Sequence, residues 1–172
     1  MYIKRILLHF QMKQMKKTNA MRLLENAGIA FKMREYDISD GRIDAVSAAQ
    51  KMGETVDRVY KTLVAMAPDR EYCVFVVPAE HTLNLKKAAH AAGKKSIEML
   101  PAKQLLPLTG YIHGGCSPVG MKKQFPTWID ISAANKDYIC VSAGKVGCNM
   151  AVNPRELADF ITANFAELCD EV

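Results

Sequence analysis

The hydrophobic and polar positions divide the chain into helical ends and a β-rich middle. Ala20, Leu23, Leu24 and Ala27 recur at helical spacing, Thr18 or Asn19 can cap that stretch and Gly28 can stop it, so a helix is expected over 19–27. Ile29–Tyr36 reads as a strand, and a loop follows over 37–42. Asp44 can cap a second helix that Gly53 ends. In Val59–Met66 the expected state is a strand, with Val59, Lys61, Leu63 and Ala65 on one face and the alternate residues on the other. Pro68-Asp69-Arg70 turns the chain into a further strand, Glu71–Val77. Asn84 can cap a helix over Leu85–Ala92. Lys95–Met99 reads as a short strand, 101–106 as a helical turn that Pro107 ends, and Tyr111–His113 as another short strand. Trp128–Ile131, Tyr138–Ser142 and Cys148–Val152 complete the strands. Asn153-Pro154-Arg155-Glu156 then carries a cap, a proline at the first helical position and a glutamate at the third. Leu157, Phe160, Ile161, Phe165 and Leu168 give that last helix its expected buried stripe. Helices at both ends and strand-to-strand connections through the centre imply an α+β fold rather than a doubly wound parallel sheet.

Length and composition add one domain and an ordinary globular balance: 172 residues, 49% hydrophobic and 24% charged. The net charge of +5 comes from residues 1–17, which hold Lys4, Arg5, Lys13, Lys16 and Lys17 and no acid, so the remainder is formally neutral. Bulk basicity therefore gives no argument for nucleic-acid binding, and any such surface must be local. Ile3, Ile6, Leu7 and Phe10 allow a short amphipathic helix in this segment. It is read as a dispensable extension, with a membrane-surface anchor as the alternative, and 18–172 as the domain. Cys73, Cys116, Cys140, Cys148 and Cys169 form no CxxC pair and no metal-ligand spacing, and so suggest reduced thiols in a cytoplasmic protein.

The candidate chemistry begins with Lys61. A lysine among apolar neighbours on one strand face either reaches past them to solvent or stands on a pocket wall to hold an anionic or polar ligand, and the residues alone leave both open. The stretch from Gly114 to Pro126 is a long connection rich in glycine, which is usual for a functional loop. Within it, Gly115-Cys116-Ser117-Pro118-Val119-Gly120 is no nucleophile elbow, because two residues, one of them proline, separate the serine from the second glycine. Cys116 with His113 is a nucleophile candidate set against a packed thiol and a surface histidine. Lys122, Lys123 and Lys145 are candidates for phosphate contact, set against simple solvation.

In order and spacing, Val59-Tyr60-Lys61-Thr62-Leu63, then Thr109-Gly110-Tyr111 with Gly114 through Lys123, then Pro126-Thr127-Trp128-Ile129-Asp130, then Val141 through Gly147, resemble the YbaK/EbsC family of aminoacyl-tRNA deacylases over roughly residues 18–168. The KTL and SPxGxKK strings are nearest its Cys-tRNA(Pro) deacylase branch. The resemblance implies a mixed, barrel-like β-sheet with flanking helices, related to the editing insertion of prolyl-tRNA synthetase, and it implies no cofactor and no metal. It makes Lys61 the essential lysine, contacting the terminal adenosine of charged tRNA. Gly115, Ser117, Pro118 and Gly120 would line the aminoacyl pocket, with Tyr36, Thr62 and Ser142 beside them. Two departures stand out: Asn149 occupies a position where the family often carries an acid, and no aromatic residue fills a second pocket position near 43–44. The implied function is removal of cysteine from Cys-tRNA(Pro), with Cys-tRNA(Cys) as a further substrate, by attack of the substrate's own thiol. Charged tRNA would be the partner, with prolyl-tRNA synthetase a candidate to deliver it. The alternatives are a deacylase for another mischarged tRNA such as Ala-tRNA(Pro), a non-catalytic tRNA- or synthetase-binding module, and a Cys116-dependent hydrolase.

Overall fold

In the computed structural model, which describes residues 16–170, two sheets meet at a seam. Helix α1 (Asn19–Asn26) is capped by the Thr18 hydroxyl, which accepts from Met21 N–H, and buries Ala20, Met21 and Leu24. Strand β1 (Phe31–Glu35) follows, then α2 (Ala45–Met52), capped by Asp44 and ended by Gly53 in the left-handed conformation. Strands β2 (Tyr60–Met66) and β3 (Tyr72–Pro78) form an antiparallel hairpin. After them come α3 (Leu85–Ala91), β4 (Glu98–Met99), α4 (Ala102–Thr109), β5 (Thr127–Asp130), β6 (Ile139–Lys145), β7 (Cys148–Val152), α5 (Pro154–Ile161) and β8 (Asn164–Ala166).

The smaller sheet has the order β1-β7-β6, all antiparallel. The larger has the order β4-β2-β3-β5-β8, in which β3–β5 and β5–β8 are parallel. The α+β class and the mixed sheet with flanking helices are as expected. Closure into one barrel does not appear among the described residues. Among the described residues, backbone pairing joins the two sheets at a single parallel bridge, Val59 to Cys140, beyond which β2 and β6 pair no further, although Tyr60, Val76 and Ile129 of the larger sheet share a core with the smaller. The main core fills the space between α1, α5 and the small sheet, around Met21, Leu24, Ile139, Met150 and Leu157. A second cluster packs Phe75, Val77 and Leu168 beneath α3.

Three local expectations are corrected. The last helix ends at Ile161 because Thr162 adopts φ 54°, and Phe165 lies instead on β8, opposite Ile129. Its spacing imitates a helical stripe, while the burial belongs to a parallel strand. Helix α4 runs through Pro107 to Thr109, where the Thr109 hydroxyl donates to Leu105 O at 2.8 Å and Gly110 N–H to Leu106 O at 2.9 Å. Only one helical hydrogen bond is lost to the proline, whose ring is exposed. Tyr111–His113 forms no strand; a turn from Ile112 O to Gly115 N–H takes its place. The amphipathic helix expected over residues 3–10 lies outside the described residues.

Gly144 joins the long loop to the small sheet. It sits at φ 92°, and a Cβ there would lie 2.7 Å from Tyr111 Cε1, whose hydroxyl donates to Val119 O at 2.6 Å. Gly144→Ala therefore adds a clash to left-handed strain and is expected to cost about 3 kcal/mol. Gly28→Ala, at φ 74° with nothing within 4 Å of the new methyl, carries the strain alone, and should cost about 1 kcal/mol. Urea unfolding of the two variants checks the difference.

Candidate active site

Where β2 and β6 part, the seam opens into a cavity of about 340 Å³, at the lower end of small-molecule pockets, which run roughly 300–1,000 Å³. One wall is β2, from Val59 to Leu63; Ser142 of β6 and Asn149 of β7 face it across the gap. The start of α2 with Ile43 and Asp44, together with Tyr36, forms a third side. His113, Gly114 and Cys116 close the far end.

Lys61 is half-buried, and its Nζ donates to Ala79 O at 3.2 Å. Among the described residues no carboxylate lies within 4 Å of it. Burial lowers its pKa, an effect partly offset by the Cys169 thiol nearby. An incompletely hydrated cation with one carbonyl for company is suited to an incoming anion or polarised oxygen. Next to it, the Thr62 Oγ1 is buried and has no hydrogen-bond partner among the described residues. Buried hydroxyls are rarely left so, and a ligand at this wall would supply the missing partner. Ser142 Oγ accepts from Gly144 N–H at 3.1 Å. Asn149 is buried and directs its Nδ2 to Met52 Sδ at 3.5 Å.

Tyr36, Lys61, Thr62, Ser142 and Asn149 are thus brought together on the cavity, whereas the glycine-proline loop contributes in a different way from the one the resemblance implies. Gly115, Ser117, Pro118 and Gly120 are not among the cavity's lining residues; Gly114 and Cys116 are. Gly115 passes under the β6–β7 turn, where a Cβ would meet Val146 N at 3.0 Å. The Ser117 hydroxyl is fully buried and accepts from Val119 N–H at 3.2 Å. Pro118 is buried behind it, and Gly120 approaches Tyr111 and α1. Lys123 and Lys145 are exposed, and Lys122 lies against Gly110 with Nζ 3.4 Å from Pro107 O.

Cys116 is buried, and burial pushes its thiol up to about 12. It is a neutral thiol at pH 7, and no hydrogen bond joins it to His113 or another base among the described residues, which removes the basis for a Cys116 nucleophile. Asp44 was legible in the sequence only as a helix cap; its place on the cavity wall depends on how α2 docks against the seam. The one sequence signal was the missing aromatic near 43–44, where this chain places Ile43 and Asp44.

The model described as "Aminoacyl-tRNA editing domain" matches residues 42–160, a span that holds every cavity residue named above except Tyr36. The chain is therefore an aminoacyl-tRNA editing domain over that span. Within that class the chain belongs to the YbaK/EbsC family. It is 42% identical, over 91% of its length and 95% of the relative's, to the "Putative Cys-tRNA(Pro)/Cys-tRNA(Cys) deacylase EbsC" of Enterococcus faecalis. A proline–tRNA ligase of Shouchella clausii is 28% identical over 100 residues, 58% of this chain and 17% of that enzyme. The crystal structure of "a putative trans-editing enzyme for prolyl tRNA synthetase" superposes with a TM-score of 0.76 at 26% identity, covering 87% of this chain and 93% of that one.

Proposed function

We propose that this protein is a trans-editing deacylase that removes cysteine from mischarged Cys-tRNA(Pro), and also from Cys-tRNA(Cys). The observation that carries the reading is the content of the cavity: among the described residues, one lysine with no carboxylate partner, one carboxylate, hydroxyls and a single amide, and a buried neutral thiol with no base hydrogen-bonded to it. Such a site can hold and polarise an ester, but it leaves the attacking group to the substrate, and cysteine brings its own. The 42% identity to EbsC supports the same substrate. A synthetase pocket shaped for proline cannot reject small amino acids by packing alone, so hydrolysis at a second site serves fidelity. Lys61 holds the adenosine end, while Thr62, Ser142, Tyr36 and Asn149 surround the aminoacyl group. Residues 18–172 carry no net charge, so we infer that prolyl-tRNA synthetase delivers the tRNA, with Lys122, Lys123 and Lys145 as local phosphate contacts. Free cysteines throughout fit a reducing, cytoplasmic setting.

The test is release of amino acid from Cys-tRNA(Pro), Cys-tRNA(Cys), Ala-tRNA(Pro) and Pro-tRNA(Pro), with and without prolyl-tRNA synthetase. Turnover of the two cysteinyl substrates, with Pro-tRNA(Pro) spared, supports the reading. Selective turnover of Ala-tRNA(Pro) replaces it with alanine editing, and tRNA binding without any turnover with a binding module. Because the Cys116 thiol is buried and neutral, Cys116→Ala should keep its deacylation rate within about threefold of wild type; loss of activity at unchanged stability would bring the thiol back into the chemistry.

A further inference from the structure

We propose that Asp44 binds the α-ammonium group of the aminoacyl ester, so that the cavity grips its substrate at two charges, the adenosine end at Lys61 and the amine at Asp44. The inference rests on the deacylase reading above and adds a specificity determinant to it.

Asp44 is the only carboxylate among the residues that line the cavity, as Lys61 is the only lysine or arginine. Where the family resemblance places an acid, this chain has Asn149, whose side-chain N–H groups are donors and cannot receive an ammonium. The Asn149 carbonyl remains as an uncharged acceptor, so any full negative charge offered to the amine must come from Asp44. The carboxylate is firmly placed. Oδ1 accepts from Ser47 N–H at 2.9 Å and Oδ2 from Ser47 Oγ at 2.7 Å. Each oxygen keeps a further acceptor site for a ligand. These bonds from Ser47 also lower its pKa and keep it ionised near neutral pH. No lysine or arginine competes for it: among the described residues Asp44 is in no ion pair.

The segment leading into Asp44 is also held in place. Lys51 Nζ donates to Asp37 O at 2.8 Å, to Asp40 Oδ1 at 2.6 Å and to Arg42 O at 2.9 Å. The one lysine of α2 is thus spent on the loop, and Asp44, an exposed residue at the head of α2, is left without a cation where it lines the cavity. An anionic wall of this kind favours esters with a free amine and spares those whose amine is acylated, a useful selectivity for an enzyme that cleaves aminoacyl esters of tRNA.

Asp44 also caps α2, and Asn caps as well as Asp, so Asp44→Asn removes the charge and keeps the cap. The probe is 3-mercaptopropionyl-tRNA(Pro), which keeps the thiol and lacks the amine. For the wild type, loss of the amine should raise KM by about fivefold, the scale of one charge pair at an exposed carboxylate. Asp44→Asn should raise KM for Cys-tRNA(Pro) by a similar factor, leave KM for the amine-free substrate unchanged, and unfold at the same temperature as wild type. The proposal is overturned if Asp44→Asn keeps the wild-type KM for Cys-tRNA(Pro), or if it still discriminates between the two substrates as the wild type does. It is equally overturned if the discrimination disappears in Asn149→Ala and survives in Asp44→Asn. If the wild type turns over neither substrate, the deacylase reading fails and this inference fails with it.

Discussion

Lys61→Ala is expected to lose at least about a hundredfold in kcat/KM on Cys-tRNA(Pro), the scale on which removal of one preorganised charge-stabilising donor acts. Among the described residues, the ammonium is the only lysine or arginine charge on the cavity, and it has no carboxylate partner to share it. The split between parameters identifies its task. A rise in KM at constant kcat means that it holds the adenosine end equally in ground and transition states, whereas equal losses in kcat and kcat/KM mean that it acts on the developing oxyanion. The same residue should cost the fold stability. Burial lowers the Lys61 pKa, so the folded state holds this proton less tightly than the unfolded chain does. Below the folded pKa both states are charged and the full penalty applies. As the pH rises from the folded to the unfolded pKa the penalty disappears. Lys61→Met, which keeps the stem and drops the charge, should therefore be at least as stable as wild type at pH 7 in urea unfolding, while being as inactive as Lys61→Ala. A Lys61→Met that is both active and destabilised would make the lysine a structural residue. Anion binding at this wall should weaken as the pH climbs through the depressed Lys61 pKa.

The features legible in the sequence were those written in local chemistry. Asp44, Asn84 and Asn153 announced their helices because each side chain accepts from N–H groups within three residues, and all three caps are formed. Lys61 was legible because a cation alternating with apolar residues conflicts with its strand face, and that conflict sits at the cavity. Long-range partners were not written in this way. Phe165 continues the spacing of Leu157 and Ile161, and nothing local says that Thr162 breaks the helix so that Phe165 can pair beside Ile129. The glycine-proline loop was marked as important by composition, but composition could not tell the lining residues Gly114 and Cys116 from Gly115, Ser117, Pro118 and Gly120 behind them. That distinction depends on how Tyr111 docks against Gly144 and how Gly115 tucks beneath the β6–β7 turn, both contacts between segments about 30 residues apart. Asp44 combines the two cases: its role as a cap is local, and its place on the cavity wall is tertiary.

The second large effect concerns the substrate. Ser-tRNA(Pro) should be cleaved slower than Cys-tRNA(Pro) by a factor on the order of a hundred or more, because a thiol is far more readily ionised and more nucleophilic than a hydroxyl of the same reach. The cavity offers no attacking group that would equalise them. Burial pushes the Cys116 thiol up to about 12 and, among the described residues, Ser142 has a backbone N–H on its oxygen and no base hydrogen-bonded to it, and the Thr62 hydroxyl has no partner. In the proposed step the cysteinyl sulfur, as thiolate, attacks its own ester carbonyl. A carbon–sulfur bond forms, the bond from the carbonyl carbon to the ribose oxygen breaks, and that oxygen takes up a proton as the tRNA leaves. The other product is a four-membered cyclic thioester. Since an unperturbed thiol ionises at about pH 8.5, the rate on Cys-tRNA(Pro) should rise with pH through neutrality and level off above that value. Ala-tRNA(Pro), with no side-chain nucleophile, should be spared. Comparing initial rates on the three substrates between pH 6 and 9, and trapping the thioester by mass spectrometry, decides the matter. Equal rates for serine and cysteine would show that water or a protein group attacks. Lys61 would then stabilise an intermediate formed from outside the substrate, and the selectivity for cysteine would have to come from the shape of the cavity alone.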